Sequence, residues 1–233
     1  MNFIFDLYGT LIDIKTDESK RTFWKAMCEQ LGLSKLRWRT LMREYHYLCA
    51  DKMLSPEHEI DLSDVFGDLL VCYGKERSES DSFARIFREK STERLGLFPN
   101  VQEMLLFLRK MGSGVYLLSN AQSCFTRNEL DLLGLTPLFD GIIISSEISI
   151  KKPSEKIFQL ALDRFGLDPD ECIYVGNDML DDVFGASRAK LKTVYIQTEQ
   201  SRKYDAKALP SPNYTATDHE ELYKLLLTLA SKS

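Results

Sequence analysis

The 233-residue chain is predicted to be an α/β protein, a doubly wound parallel sheet with an inserted helical segment. Three observations predict this. From about residue 100 onward, short apolar β-like runs alternate with amphipathic helical stretches, the pattern of right-handed crossover units in a parallel sheet. Between Lys15 and Leu95 the texture is long, charged and helically spaced, with almost no β-rich run. The length is about one and a half domains at ~150 residues each, which leaves room for one sheet domain and a modest insertion.

Taken in order, Phe3-Ile4-Phe5 reads as a buried strand ending at Asp6, with Gly9 turning the loop that follows. The insertion carries apolar residues at helical spacing, as in Phe23, Met27 and Leu31, then Leu41, Tyr45 and Leu48. Phe83, Ile86 and Phe87 form a stripe that fits a buried helix face. Ser55 with Pro56 reads as an N-cap followed by the first helical position. After Phe98-Pro99-Asn100 the expected elements are helix 101–111, strand 115–118, helix 124–133, strand 142–145, helix 154–165, strand 172–175, helix 181–189 and strand 193–196. Ser154 is expected to be the N-cap of its helix and nothing more. Residues 198–217 read as a loop before a final helix over 218–230.

Composition narrows the function. With 44% hydrophobic and 28% charged residues the chain is globular rather than disordered. A net charge of -5 argues against a nucleic-acid or anionic-membrane surface, and Arg202, Lys203 and Lys207 make too small a basic patch to reverse that. Cys28, Cys49, Cys72, Cys124 and Cys172 are scattered singly, as expected of reduced thiols in a cytoplasmic protein. No signal peptide or membrane anchor is expected at MNFIFDLYGTL. His46, His58 and His219 are isolated and lack the spacing of a zinc site.

Four polar clusters fall at predicted strand ends or helix starts: Asp6 to Thr10, Ser119-Asn120, Lys151-Lys152-Pro153, and Gly176 to Asp182. In a parallel sheet those ends share one edge, so the clusters converge. They supply a carboxylate nucleophile candidate, hydroxyl and amide donors, a cation and an acidic patch. Asp178 and Asp182 are four apart, on one face of a helix that begins near 178. Such crowded negative charge calls for a hard divalent cation with oxygen ligands.

The order, spacing and strand context of Asp6-Leu7-Tyr8-Gly9-Thr10-Leu11, Leu118-Ser119-Asn120, Lys152-Pro153 and Val175 to Asp182 resemble the four motifs of the haloacid dehalogenase superfamily, over nearly the whole chain. The resemblance implies a Rossmann-like catalytic core of residues 1–14 and 96–233 and a mobile helical cap of residues 15–95, with substrate entering between them. It implies that Asp6 is a covalent nucleophile, that Thr10, Ser119 and Asn120 bind the substrate, and that Lys152 offsets the charge of Asp6 and substrate. It further implies that Asp6, the backbone carbonyl of Tyr8, Asp178 and Asp182 hold Mg2+.

Phosphatases of that family carry a second aspartate where this chain has Tyr8, and a tyrosine with a pKa near ~10 is a poor base at neutral pH. Dehalogenases of the family are similar to this chain in the first motif, and Trp38-Arg39 resembles their substrate-carboxylate arginine, although arginine and aromatic pairs are more often surface and core. The last motif points the other way, since Asp178, Asp181 and Asp182 suit a metal better than a metal-free site. Asn177 stands where many relatives have an acid. Asp181 is expected to do no more than favour the helix dipole. The expectation is a Mg2+-dependent phosphatase for a small phosphate monoester, monomer or homodimer. A metal-free L-2-haloacid dehalogenase and a non-catalytic phosphate-binding module are the alternatives.

Overall fold

The computed structural model describes residues 1–204 and 209–231; Lys207 lies outside them. The expected α/β architecture is present. The strands are β1 (Asn2–Phe5), β2 (Ile12–Thr16), β3 (Thr92–Leu97), β4 (Gly114–Ser119), β5 (Gly141–Ile144), β6 (Cys172–Gly176), β7 (Lys192–Ile196) and β8 (Tyr214–Ala216). Among the described residues, six of them form one sheet in the order β5-β4-β1-β6-β7-β8, paired in parallel throughout. The chain runs outward from β1 through β4 to β5, then returns to the other side of β1 at β6. The carboxyl end of β1 is therefore the point where open parallel sheets form their crevice.

Side-chain alternation sorts the core into two layers. Phe3 and Phe5 of β1, Val115 and Leu117 of β4, and Ile173 and Val175 of β6 face one side. There they pack against Met104, Leu105 and Leu108 of α5 (Val101–Lys110) and Leu222 and Leu226 of α9 (His219–Ala230). Ile4, Leu118 and Tyr174 face the other side and meet Ile157, Phe158 and Ala161 of α7 (Glu155–Phe165). Each fully buried large apolar side chain contributes about 1.5–3 kcal/mol, so this two-sided burial fixes the register that aligns the strand ends.

Four helices fill the insertion: α1 (Arg21–Gln30), α2 (Trp38–Lys52), α3 (Leu62–Cys72) and α4 (Ser80–Ser91). They share a core that includes Phe23, Trp24, Met27, Leu41, Phe66, Phe83 and Phe87, joined by Phe125 of α6 (Ser123–Leu132). The insertion enters and leaves through β2 and β3, an antiparallel ribbon that pairs Ile12 with Leu97 and Lys15 with Arg94. That ribbon is absent from the sequence expectation. Its outward residues are charged and paired across it, Arg94 to Asp13 at 2.7 Å and Lys15 to Glu93 at 2.8 Å, which hides the β pattern. The three-residue edge strand β8, inside the expected 198–217 loop, was also too short to read.

Two capping expectations are corrected. No helix starts at Ser55-Pro56; α3 begins after Asp61, whose carboxylate accepts from the Ser63 N–H at 2.8 Å. Residues 57–59 instead pair with the core, as Glu59 N–H donates to the Ser149 carbonyl and Lys151 N–H to the Glu57 carbonyl. Ser154 precedes α7 but makes no side-chain cap; its hydroxyl donates to Glu57 at 2.9 Å and ties the insertion to the core. The expected helix over 181–189 starts earlier and is wound wide, a π-helical turn over Met179–Phe184 followed by α8 (Gly185–Arg188). No described helix is long and apolar enough to cross a membrane.

His219 is a buried structural residue. Its Nε2 lies 2.8 Å from the Thr10 carbonyl and its ring stacks on Phe98 at 4.3 Å. Burial pulls the imidazole pKa below its usual 6.5, and the bond to Thr10 and the charge of Asp218 oppose that only in part. The unfolded chain therefore takes up the proton first, and stability present above pH ~6.5 is lost as pH falls through the window beneath it. Thermal melts should show wild type losing more stability between pH 7 and 5 than His219→Gln, which lacks the titrating ring; equal losses would remove His219 as the cause.

Candidate active site

The parallel register brings the four clusters to one edge, around a cavity of about 230 Å³. Asp6 directly follows β1, and its N–H donates to the Val175 carbonyl at 2.9 Å. Its carboxylate is held from two sides, by the Lys152 ammonium at 2.8 Å on Oδ1 and by the Thr10 hydroxyl at 2.9 Å on Oδ2. Lys152 is 3% exposed and also donates to Asp182 at 2.7 Å and to the Tyr174 hydroxyl at 2.9 Å. Burial pulls the Lys152 pKa down, but the carboxylates of Asp182 and Asp6 outweigh it and hold the amine firmly charged. Asp182 is pushed upward by burial, with Lys152 and the Asp178 N–H opposing.

Close backbone approach makes this possible. A Cβ on Gly176 would lie 2.3 Å from Asp182 Oδ2, so only a glycine at the end of β6 leaves room for that carboxylate. Gly9 has φ +82°, and a Cβ there would lie 2.3 Å from Asn177 Nδ2. Asn177, at the position where relatives often have an acid, thus packs over the first loop. Its Nδ2 donates to Thr198 at 3.3 Å, and Thr198 donates to the Gly9 carbonyl at 3.0 Å.

The other expected site residues divide. Asn120 lines the cavity, but its amide is committed to the backbone of Lys152, accepting from its N–H at 2.8 Å and donating to its carbonyl at 3.0 Å. Ser119 is fully buried at the end of β4, and its hydroxyl has no hydrogen-bond partner among the described residues. Thr10 is buried behind Asp6 and positions it. Arg39 is exposed, with its guanidinium over the Trp38 ring at 4.5 Å, and is not among the residues that line the cavity.

Tyr8 lines the cavity, but its hydroxyl is turned away from Asp6. It bonds Thr126 at 2.9 Å and donates to Glu129, both on α6. Burial, followed by the charge of Glu129, raises the phenol far above its ordinary range. Arg88 of α4 completes the group, pairing with Glu129 at 2.6 Å and lying 5.6 Å from the Tyr8 ring centroid. The first motif loop is therefore tied to the insertion. Arg88 and Glu129 went unnoticed in the sequence; the available signal was a charge on each helix's apolar stripe, next to Phe87 and four residues after Phe125.

The acidic cluster departs from the expected single helical face. Asp178 is the N-cap, accepting from the N–H groups of Leu180 and Asp181 at 2.9 and 2.8 Å, and Asp181 stands in the first turn, where the helix dipole favours it, as well as on the cavity wall. Asp182 reaches back to the Asp178 N–H at 2.9 Å. Arg202, which the sequence offers only as part of a basic patch too small for nucleic acid, lines the cavity and pairs with both Asp178 and Asp181, while the Tyr204 hydroxyl adds a bond to Asp178 at 3.1 Å. The loop after β7 opens at the same sheet edge, which is the signal that pointed to it. Burial raises both carboxyls; for Asp178 the bonds from Arg202 and the two N–H groups outweigh it and hold the group below its usual value, whereas Asp181 stays raised.

A buried carboxylate at the end of the first strand, a charged lysine bridging it to a second carboxylate, and an unpartnered hydroxyl on the neighbouring strand define a hydrolase core with an inserted helical segment. The chain belongs to the haloacid dehalogenase-like hydrolases, whose family model matches residues 1–190. It is 33% identical over 137 residues to a phosphoserine phosphatase of Thermus thermophilus, covering 59% of this chain and 53% of that one. It is 27% identical to an N-acylneuraminate-9-phosphatase of Mus musculus, covering 98% and 94%. The chain spans about half the length of the first curated relatives it matches. A 2-haloacid dehalogenase from Pseudomonas syringae shares the fold at TM-score 0.69 and 21% identity, with all of both chains covered.

Two outcomes follow from the geometry. Lys152→Met leaves two buried carboxylates facing one another and should cost about 3–5 kcal/mol in denaturant unfolding, whereas Asp6→Asn keeps the Lys152–Asp182 pair and should cost far less. Tyr8→Phe should lower turnover by much less than the ~10²–10⁴-fold expected for loss of a general acid or base; a loss of that size would return the phenol to the chemistry.

Proposed function

We propose that the protein is a phosphatase for a small phosphate monoester, working through a phosphoryl group carried on Asp6. The observation that carries this reading is the Asp6 carboxylate, held between Lys152 and Thr10 at the wall of a small polar cavity. The relatives described above that match by sequence are both phosphatases by name. Dehalogenation has in its favour only Tyr8 and a shared fold.

In the reaction, an Asp6 oxygen forms a bond to phosphorus as the bond from phosphorus to the ester oxygen breaks, and the leaving alkoxide takes a proton from water. A second water then attacks the acyl phosphate, releasing inorganic phosphate and regenerating the Asp6 carboxylate. Lys152 holds Asp6 oriented and offsets the charge that gathers on the phosphoryl oxygens. The unpartnered Ser119 hydroxyl would donate to one of those oxygens. Asn120 acts one step back, by fixing the backbone of Lys152.

The donor chemistry suits Mg2+. Asp6, Asp178, Asp181 and Asp182 put four carboxyl groups around the cavity against the two cations Lys152 and Arg202, a formal excess of two acids, all offering hard oxygen. Among the described residues no three acidic, histidine or cysteine side chains already converge on one centre. Asp6, the Tyr8 carbonyl, Asp178 and Asp182 are the groups that would hold the ion, which when bound supplies positive charge to the phosphoryl oxygens. The cap would be residues 15–95, excluding water when docked.

A paired assay tests the reading, using an aryl phosphate with and without Mg2+ and 2-chloropropionate with EDTA. Phosphate release that needs Mg2+ and falls by about 10³-fold or more in Asp6→Asn is expected. Chelator-resistant halide release without phosphatase activity would overturn it.

A further inference from the structure

Arg202 makes the acidic edge of this site unusual. It stands on the loop after β7, beyond the four motif clusters, yet its guanidinium spans two carboxylates, Asp178 and Asp181, which line the cavity beside Asp6. An arginine fork is built for such two-point contact with carboxylates, and a lysine is not. Tyr204 holds the same Asp178 carboxylate from the same loop. The oxygens of Asp178 are thus spent on Arg202, Tyr204 and two N–H groups of its own helix turn. Asp182 is spent on Lys152 and the Asp178 N–H. A divalent ion cannot reach Asp178 while the fork is seated, because cation and guanidinium would claim the same oxygens.

We infer that Arg202 is a built-in competitor of the divalent cation: it neutralises Asp178 and Asp181 in the metal-free protein, must leave Asp178 for the ion to bind, and so sets the metal affinity of the site. This rests on the reading that the edge holds a divalent ion. The apparent affinity of such a site is the intrinsic affinity scaled by the fraction of molecules in which the carboxylate is released. Removing the fork raises that fraction. The Arg202 side chain is half exposed and on a loop, so its substitution leaves the packed core intact.

The test is direct titration of the metal, Mg2+ by calorimetry and Mn2+ by electron paramagnetic resonance, on wild type, Arg202→Gln, Arg202→Lys and Lys203→Gln without substrate. Competition predicts that Arg202→Gln binds about five- to tenfold more tightly than wild type. It also predicts that Arg202→Lys, which keeps the charge but not the two-point fork, binds more tightly than wild type by a smaller factor, and that Lys203→Gln changes little. Equal affinity in wild type and Arg202→Gln, or weaker binding in Arg202→Gln, overturns the inference while leaving the metal reading intact. Tightening in Arg202→Gln with Arg202→Lys unchanged reduces Arg202 to a distant charge and also overturns it. Absence of binding in all four proteins overturns the metal reading and this inference with it.

Discussion

One ammonium group organises the site. Lys152 sits inside the sheet edge with almost no access to water and donates to Asp6, Asp182 and Tyr174, which arrive just after β1, on the turn after β6 and on β6 itself. Burying a charge of either sign alone is costly, and the arrangement is sustained only because all three partners are in place. Surrounding details follow from that requirement. Asn120 fixes the backbone at Lys152, Gly176 leaves the space that Asp182 needs, and Thr10 takes the Asp6 oxygen that Lys152 does not. The sheet supplies the convergence and the lysine supplies the reason for it.

The first motif shows how a familiar position can acquire a different task. At Tyr8 the side chain leaves the reaction centre and joins Thr126, Glu129 and Arg88, a polar group shared between the core helix α6 and the insertion helix α4. On the other flank, Glu57 and Glu59 of the insertion bond the loops that carry Ser145, Lys151 and Ser154. The insertion is therefore anchored to the loop that follows Asp6 on one side and to the loop of Lys152 on the other. Its position and the shape of the site are mechanically linked.

Much of this was legible in the chain. Alternating apolar runs mark β1, β4, β5, β6 and β7, and strand-end logic gathers Asp6, Lys152 and Asp182 at one edge. What escaped has physical causes. The β2–β3 ribbon is covered in paired charges, so its strands lack an apolar face to announce them. Arg202 and Glu129 act through partners more than twenty residues away, and no local pattern encodes a partner at that distance. The split between Asp178 and Asp182 depends on a wide π turn, in which Val183 N–H as well as Asp182 N–H reaches the Asp178 carbonyl; spacing alone assumes ordinary helical winding. The bonds that Asn120 makes to the backbone of Lys152 and Thr10 makes to Asp6 are likewise visible only in three dimensions.

The β2–β3 ribbon carries a consequence for how such proteins diversify. The two crossings into and out of the insertion run side by side, with Ile12 level with Leu97 and Asp17 N–H bonded to the Ser91 carbonyl. The parts of the insertion that do not bear on the core can lengthen, shrink or be exchanged without moving either crossing or rerouting a strand of the sheet. The fold thus separates two tracks: a sheet edge locked by buried charge, which tolerates little, and a module that enters and leaves by two adjacent threads, open to rebuilding wherever it does not touch that edge.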